Sequence, residues 1–286
     1  MNHRNFLIII FVLYMIGMTG FMIWQGIGIA PDRYALVLLL GSLSIKKTRS
    51  FLFDWIPFLF ILIAYDFLRS LVPYLNQHIH VLELVNADIA IFGVLPNTFL
   101  QNLFYQPGSL NFLDYFSTII YFLHFALPLS FGFILWVTNR AYFRQFSLGI
   151  LLLSYAGWVT FVAYPAAPPW MAANQGLIHV TKILDQTLGK FPAKYELPTI
   201  YHNFNPNPVA AIPSMHAAYP LIIFLFALSF FKFKALYFLP YVFAVWFAMV
   251  YLGEHYVIDE IVGGLYALVF FIVAKILTSR VKFLHG

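Results

Sequence analysis

Two short segments of this 286-residue chain carry residue types at a spacing that suits acid–base and nucleophilic chemistry. Pro213-Ser214-Met215-His216 stands where a long polar loop meets an apolar run. Pro213 disfavours a helical residue before it, and Ser214 is a natural helix N-cap. His216 then falls in the first helical turn, where free backbone N–H groups and the helix dipole attract anions. Gly253-Glu254-His255-Tyr256-Val257-Ile258-Asp259 opens the last apolar run. His255 and Asp259 are four residues apart and share a helix face. A carboxylate placed so can accept the Nδ1–H of His255, which leaves Nε2 outward as a nucleophile or base. Either motif alone could be a snorkelling side chain or a helix cap. Both together, each at a helix start just inside an apolar run, read as a functional site.

A divalent ion held by His216, Glu254, His255, Asp259 and Glu260 is the nearest rival for these residues. No His-Glu-x-x-His or comparable ligand spacing occurs. Glu260 lies about 100° around the helix from Asp259, so the two should not converge. The expectation is chemistry with no metal and no other cofactor. The chain has no cysteine, which excludes thiolate metal sites, disulfides and a Cys nucleophile.

The elements that position these residues must sit in lipid. Hydrophobic residues make up 62% of the chain and charged residues 9%, too little polar material to cover a water-facing surface. Runs of about 20 apolar residues, the length that crosses a bilayer, fall at 6–29, 51–71, 115–138, 146–164, 214–231, 235–252 and 256–279, with a shorter run at 34–45. The first run is too long for a signal-peptide core and no clear cleavage site follows, so it reads as a retained span.

The net charge of +5 is distributed as a topology signal rather than as a nucleic-acid surface. Arg4, then Lys46, Lys47 and Arg49, then Arg140 and Arg144, then Lys232 and Lys234, then Arg280 and Lys282 fall between runs, while residues 72–114 hold no Lys or Arg. All basic clusters share the cytoplasmic side only if residues 34–45 also cross. The expected architecture is an all-α polytopic membrane bundle of about eight transmembrane helices, with both termini cytoplasmic and His216 and His255 at the opposite face. Residues 1–50 would form N-terminal membrane helices, 51–279 a catalytic core, and 280–286 a cytoplasmic tail. Two long outer loops interrupt the core. Residues 72–114 are expected to form short amphipathic helices on the membrane surface. Residues 165–213 form a Pro- and Asn-rich loop of a length that usually has a function.

Pro-Ser-x-His at 213–216 followed by His-x-x-x-Asp at 255–259 resembles the type-2 phosphatidic acid phosphatase superfamily. Tyr164-Pro165-Ala166-Ala167-Pro168-Pro169-Trp170 and Ala210-Ala211-Ile212 resemble more particularly its inositol phosphorylceramide synthase branch. The resemblance covers roughly residues 51–279. It implies a six-helix catalytic core and a covalent mechanism. His255 would take the phosphoryl group, Asp259 would orient it, and His216 would protonate the leaving oxygen and then deprotonate the incoming hydroxyl. The chain departs from the superfamily pattern in its phosphate clamps. No Arg-Pro occurs, and Met249 stands where an Arg usually precedes the third-motif His.

Replacement clamps are sought among Arg69, with Asp66 one turn back, and Lys182, Lys190 and Lys194 in the outer loop. The lysines could equally be solvated or touch lipid headgroups. His124 is either a histidine bonded to a neighbouring helix or a lining of the headgroup pocket. His202 and Ser214 could approach the site. Asn203, Asn205 and Asn207 could be turn formers only. Tyr164, Pro168 and Trp170 could shape the pocket or form a rigid turn. The favoured function is transfer of a phosphoinositol-type headgroup from a membrane lipid to a ceramide- or diacylglycerol-like hydroxyl at the non-cytoplasmic leaflet. A polyprenyl pyrophosphate or phosphatidate phosphatase is the alternative in the same class. A lipid transporter or a non-catalytic lipid-binding protein is the alternative outside it. The location expected is a bacterial plasma membrane with the site outward, or a Golgi-type lumen in a eukaryote.

Overall fold

A computed structural model describes residues 48–190 and 207–280, with Leu13 and Gly17 alone before them. The expected spans at 6–29 and 34–45, and His202 and Lys194, lie outside the described residues. Every regular element described is helical. In chain order these are α1 (Thr48–Leu75), α2 (Leu82–Phe92), α3 (Pro96–Phe104), α4 (Phe112–Thr138), α5 (Arg140–Ala163), α6 (Pro169–Asn174), α7 (Ile183–Leu188), α8 (Met215–Phe231), a 3₁₀ segment (Lys232–Phe238), α9 (Leu239–Tyr251) and α10 (Val257–Arg280).

Local chemistry sets several of the boundaries. Asn111 and Asp114 form a reciprocal capping box at the start of α4. Asn139 ends α4 and caps α5 by accepting from Ala141 N at 2.9 Å. Ser214 caps α8, its hydroxyl oxygen accepting from Ala217 N at 3.2 Å. Pro128 cannot donate to the carbonyl of His124. Accordingly α4 is bent by 49° between Phe112–His124 and Ala126–Thr138.

Helix α8 packs against α10, α9, α4 and α5. Its neighbours bury a core of Trp55, Phe143, Phe146, Phe161, Ile222 and Phe226. Large apolar side chains such as Phe53, Phe60 and Phe67 on α1 are exposed instead, as a lipid-facing surface requires. One end of the bundle gathers the α1 and α5 ends, through Asn76 Nδ2 donating to Val162 O, and the α8 and α10 starts, through Ser214 N donating to Asp259 O. The opposite end holds the Arg140–Asp54 ion pair and the Lys275–Ser229 bond.

The span count expected from the sequence is corrected. Among the described residues four helices are long and apolar enough to cross a membrane: Ser50–Leu75, Arg140–Ala163, Met215–Tyr251 and Val257–Arg280. The bent α4 makes five if its two halves form one span. This replaces about eight spans around a six-helix core. The runs 214–231 and 235–252, counted separately on sequence, form the one helical stretch Met215–Tyr251. Its two α-helical limbs have 17 and 13 residues, each short of the roughly 20 that a bilayer requires. The stretch folds back at its 3₁₀ segment, so that Trp246 Nε1 donates to Ala217 O at 3.2 Å.

Residues 72–114 contain two short helices, α2 and α3, with Ile89, Ile91, Phe92, Phe99 and Leu103 exposed. The Tyr164–Trp170 stretch runs between two neighbours as a narrow ladder. Ala166 bridges to His80 on one side and to Ala210 on the other.

Candidate active site

His216 and His255 meet at the end of the bundle where α8 and α10 begin. Nδ1 of His216 lies 3.0 Å from Nε2 of His255. Nδ1 of His255 lies 3.4 Å from Oδ2 of Asp259, which also accepts from Tyr256 N at 2.9 Å. His255 is 5% exposed and Asp259 is fully buried. Donation from Nδ1–H of His255 to the carboxylate leaves its Nε2 with a lone pair. The proton shared with His216 then belongs to His216 Nδ1. The pair therefore presents a basic nitrogen beside a proton donor. The 3.4 Å contact is long, as catalytic hydrogen bonds often are before a substrate tightens them.

Close backbone approach makes this meeting possible. Ser214 N donates to Asp259 O at 3.0 Å, and Gly263 lies against the Ser214 carbonyl, where a Cβ would overlap it. Gly253 adopts a φ of 78°, and a Cβ there would stand 2.8 Å from Thr181 O. A side chain at 253 would be both strained and obstructed.

The outer helices hold the loop that carries His255. Asn97 Nδ2 donates to Val250 O at 2.8 Å and to His255 O at 2.9 Å. Gln101 Nε2 donates to Thr181 O and Tyr251 O, and its Oε1 accepts from Thr181 N. Asp88 on α2 caps α10 from outside the helix, accepting from Val257 N at 2.9 Å and Ile258 N at 2.8 Å. Burial pushes the Asp88 carboxyl above its ordinary value, and the two N–H bonds pull it partly back. These three residues were not anticipated from sequence. The available signal was the i, i+4 amide pair Asn97 and Gln101 in an otherwise apolar stretch.

The other anticipated residues are placed as follows. Arg69 is one-fifth exposed. It pairs with Asp66 Oδ1 at 3.2 Å and lies over the Tyr65 ring at 5.7 Å. It is within electrostatic reach of Tyr121, Tyr219, His124 and His216. The His124 ring lies 4.3 Å from that of His216, and His216 also stacks on Tyr121 at 4.8 Å. Thus His124 packs against the histidine pair, and Arg69 stands within electrostatic reach of it. Tyr164 stacks on His80 at 3.7 Å and is coupled electrostatically to Asp259. Pro168 precedes the short helix α6, where Trp170 N donates to Gly253 O at 3.1 Å. Lys182 Nζ lies 4.3 Å from the Trp170 ring centre and 3.4 Å from Asp185 Oδ1. Lys190 is exposed and Asn207 is a turn former, its Oδ1 accepting from Val209 N. Among the described residues no group of three or more His, Asp or Glu side chains is arranged to hold a metal ion.

The histidine pair backed by a carboxylate lies at one mouth of an apolar helical bundle. The chain belongs to the PAP2 superfamily, whose family model matches residues 91–273. It is thus an integral-membrane protein of the PAP2 lipid phosphatase and phosphotransferase type. Over 241 residues it is 29% identical to the phosphoinositol dihydroceramide synthase of Bacteroides thetaiotaomicron, which covers 80% of this chain and 77% of that protein. Over 278 residues it is 25% identical to the inositol phosphorylceramide synthase catalytic subunit of Schizosaccharomyces pombe, which covers 93% of this chain and 62% of that longer protein. No solved structure matches the chain.

Proposed function

We propose that this protein transfers a phosphoinositol-type headgroup from a membrane phospholipid to a ceramide- or diacylglycerol-like hydroxyl, through a phosphohistidine on His255. The observation that carries the reading is the 3.0 Å contact between His216 Nδ1 and His255 Nε2, with Asp259 behind His255. In the first half-reaction His255 Nε2 attacks phosphorus, the N–P bond forms, and the P–O bond to the donor lipid breaks. His216, entering this step as the imidazolium, gives a ring proton to the departing alkoxide and is left as neutral imidazole. In the second half-reaction the acceptor hydroxyl gives its proton to His216 and attacks phosphorus. The new O–P bond forms as the N–P bond breaks. Asp259 keeps the His255 tautomer fixed and stabilises the ring while it carries the phosphoryl group.

Transfer and hydrolysis differ only in which hydroxyl attacks the intermediate. The low exposure of His255 and Asp259 supports transfer, because a site that excludes water protects the intermediate from hydrolysis. The two relatives named as synthases favour the same choice. Arg140, Arg144, Lys232, Lys234 and Arg280 lie toward the bundle end opposite the site, which supports a site on the non-cytoplasmic face. In a bacterium that face of the plasma membrane is outward. Arg69, His124, Tyr164, Pro168, Trp170 and Ser214 would form or support the walls of the headgroup site.

The test is a nanodisc reconstitution containing phosphatidylinositol, a fluorescent ceramide or diacylglycerol, and EDTA. The expected product is the phosphoinositol-bearing acceptor, with an acid-labile phosphoryl label on wild-type protein and none on His255→Ala. Transfer by His255→Ala would eliminate this nucleophile. Loss of activity on adding EDTA would reject the metal-free chemistry. Headgroup release into water without acceptor labelling would turn the assignment to a phosphatase.

A further inference from the structure

We infer that Arg69 is the phosphate clamp of this site and that it selects a phosphodiester donor over a terminal phosphomonoester. The inference rests on the proposed phosphoryl transfer and adds to it the class of phosphate accepted. The residues that hold phosphate elsewhere in the family pattern are absent, with Met249 where an Arg is usual and no Arg-Pro in the chain. The site must draw its positive charge from another part of the sequence.

Arg69 lies on the last two turns of α1, at the bundle end that holds the histidines. Its guanidinium is tethered on one side by Asp66 and the Tyr65 ring. Its Nε is buried and has no partner among the described residues. A guanidinium carries five N–H donors in a fixed fork, so a single contact with Asp66 leaves most of them available. The charge is felt at both His124 and His216. A phosphoryl group attacked by His255 while His216 protonates its leaving oxygen would have to lie beside both rings, within the same field.

The surroundings of Arg69 are built rather than incidental. The Tyr65 ring lies 5.9 Å from that of Tyr155 on α5, and Tyr219 OH lies 2.7 Å from Ser154 Oγ. Ser154 Oγ donates to Ile150 O at 2.7 Å, so Tyr219 must donate to Ser154. The hydroxyl contact ties α8 to α5, and the Tyr155 ring packs against the Tyr65 ring that lies beneath the guanidinium. Arg69 is therefore held from below and from one side.

One arginine matches one kind of phosphate. A diester has two non-bridging oxygens that share a single negative charge, and the guanidinium fork pairs with two oxygens at once. A monoester dianion or a pyrophosphate brings more charge and needs a further cation. Lys182 is engaged by the Trp170 ring and Asp185. His216 cannot serve as a lasting cation, because its proton goes to the leaving oxygen. The wall behind His255 adds like charge through the buried Asp259 carboxylate. A dianion would meet repulsion that a monoanion largely escapes.

The experiment compares phosphatidylinositol with phosphatidate of the same acyl chains in nanodiscs, using wild type, Arg69→Gln, Arg69→Lys and Asp66→Asn. Binding of phosphatidylinositol to inactive His255→Ala and to the double variant His255→Ala/Arg69→Gln is measured alongside. Wild type should process the diester at least about 10-fold better than phosphatidate. Arg69→Gln should lose about 100-fold in kcat/KM, the scale of removing one preorganised charge donor. Arg69→Lys, which keeps the charge but not the fork, should recover part of that loss and keeps the test open should Arg69→Gln fail to fold. Asp66→Asn should raise KM with kcat little changed. The double variant should bind the diester more weakly than His255→Ala. Equal or faster turnover of phosphatidate would overturn the diester selection. Wild-type kinetics in Arg69→Gln or in Arg69→Lys, or undiminished binding in the double variant, would overturn the clamp. Activity in His255→Ala would instead sink the histidine mechanism, while the binding pair still decides the role of Arg69.

Discussion

Replacing Gly263 by alanine should disable the site without unfolding the protein. Gly263 lies one turn beyond Asp259 on α10, directly against the Ser214 backbone at the start of α8. An added Cβ would overlap the Ser214 carbonyl oxygen and stand 3.2 Å from its carbon and 3.3 Å from its nitrogen. All three are backbone atoms, so no rotamer change relieves the clash. The start of α8 must retreat by about 1 Å, a misplacement on the scale that costs roughly 10²-fold in rate. Because His216 rides on the same turn, its 3.0 Å contact with His255 would lengthen past hydrogen-bonding range. Ten-squared in rate is about 2.7 kcal/mol of barrier. Stability should change less. Alanine gains about 1 kcal/mol over glycine inside a helix, against an overpacking cost of about 1–3 kcal/mol. Headgroup transfer and thermal unfolding, measured on the same nanodisc preparation, separate the two effects. Gly149→Ala is the control. Its Cβ would meet the Phe226 ring at 2.8 Å, a side chain far from the histidines that can yield. That variant should lose stability and keep its activity per folded molecule. Wild-type transfer by Gly263→Ala would refute the view that backbone approach sets the histidine geometry.

Three further outcomes follow from the same contacts. Asn97→Leu removes the donor to the carbonyls of Val250 and His255 and should cost about 1–3 kcal/mol in unfolding assays; kcat should fall more than KM, since the loop of the nucleophile is what loosens. Tyr251→Phe deletes the 2.6 Å hydrogen bond to the buried Asp114 and should cost about 1.5–3 kcal/mol by thermal unfolding. Asp88→Asn tests linkage. Burial raises the Asp88 carboxyl above 3.8, so the folded protein holds that proton more tightly than the unfolded chain does. The contribution of this group is complete below pH 3.8 and is lost as pH rises through the raised value. Asparagine should flatten that part of the stability–pH profile, and an unchanged slope would assign it to other groups.

The sequence was most readable where local rules act. Ser214 caps α8 because a proline before it and an apolar run after it leave few alternatives. His255 and Asp259 share a face because a helix repeats every 3.6 residues. The meeting of His216 with His255 was an inference from two helix starts on one side of the membrane, and the geometry puts their nitrogens 3.0 Å apart. Span counting was less dependable. Apolar runs reveal which residues avoid water but not where a helix bends or folds back. Pro128 was visible, yet its bend depends on what packs around α4. The stretch Met215–Tyr251 reads as two separate spans by its basic Lys232 and Lys234, whereas it is one helical stretch folded back at its 3₁₀ segment.

The least readable contacts are those between the outer helices and the loop of His255. Asn97 and Gln101 reach partners about 150 residues away in the chain, and those partners are backbone carbonyls whose side chains carry no trace of the pairing. A polar pair on a short amphipathic helix is expected to face water. Here it faces inward, and the apolar residues Phe99 and Leu103 of the same helix are exposed. The inversion has a physical reason. The turn between α9 and α10 exposes carbonyls that no helix satisfies, and each buried carbonyl left unpaired costs about as much as a lost hydrogen bond. Side-chain amides from α3 and the Asp88 carboxylate from α2 supply what the turn lacks, at its carbonyls and at the first N–H groups of α10 respectively. The position of His255 is therefore set by two helices whose outer faces are exposed and apolar. Substitutions on those outer faces should leave the His255 loop intact, whereas loss of a single inward amide should move His255 itself.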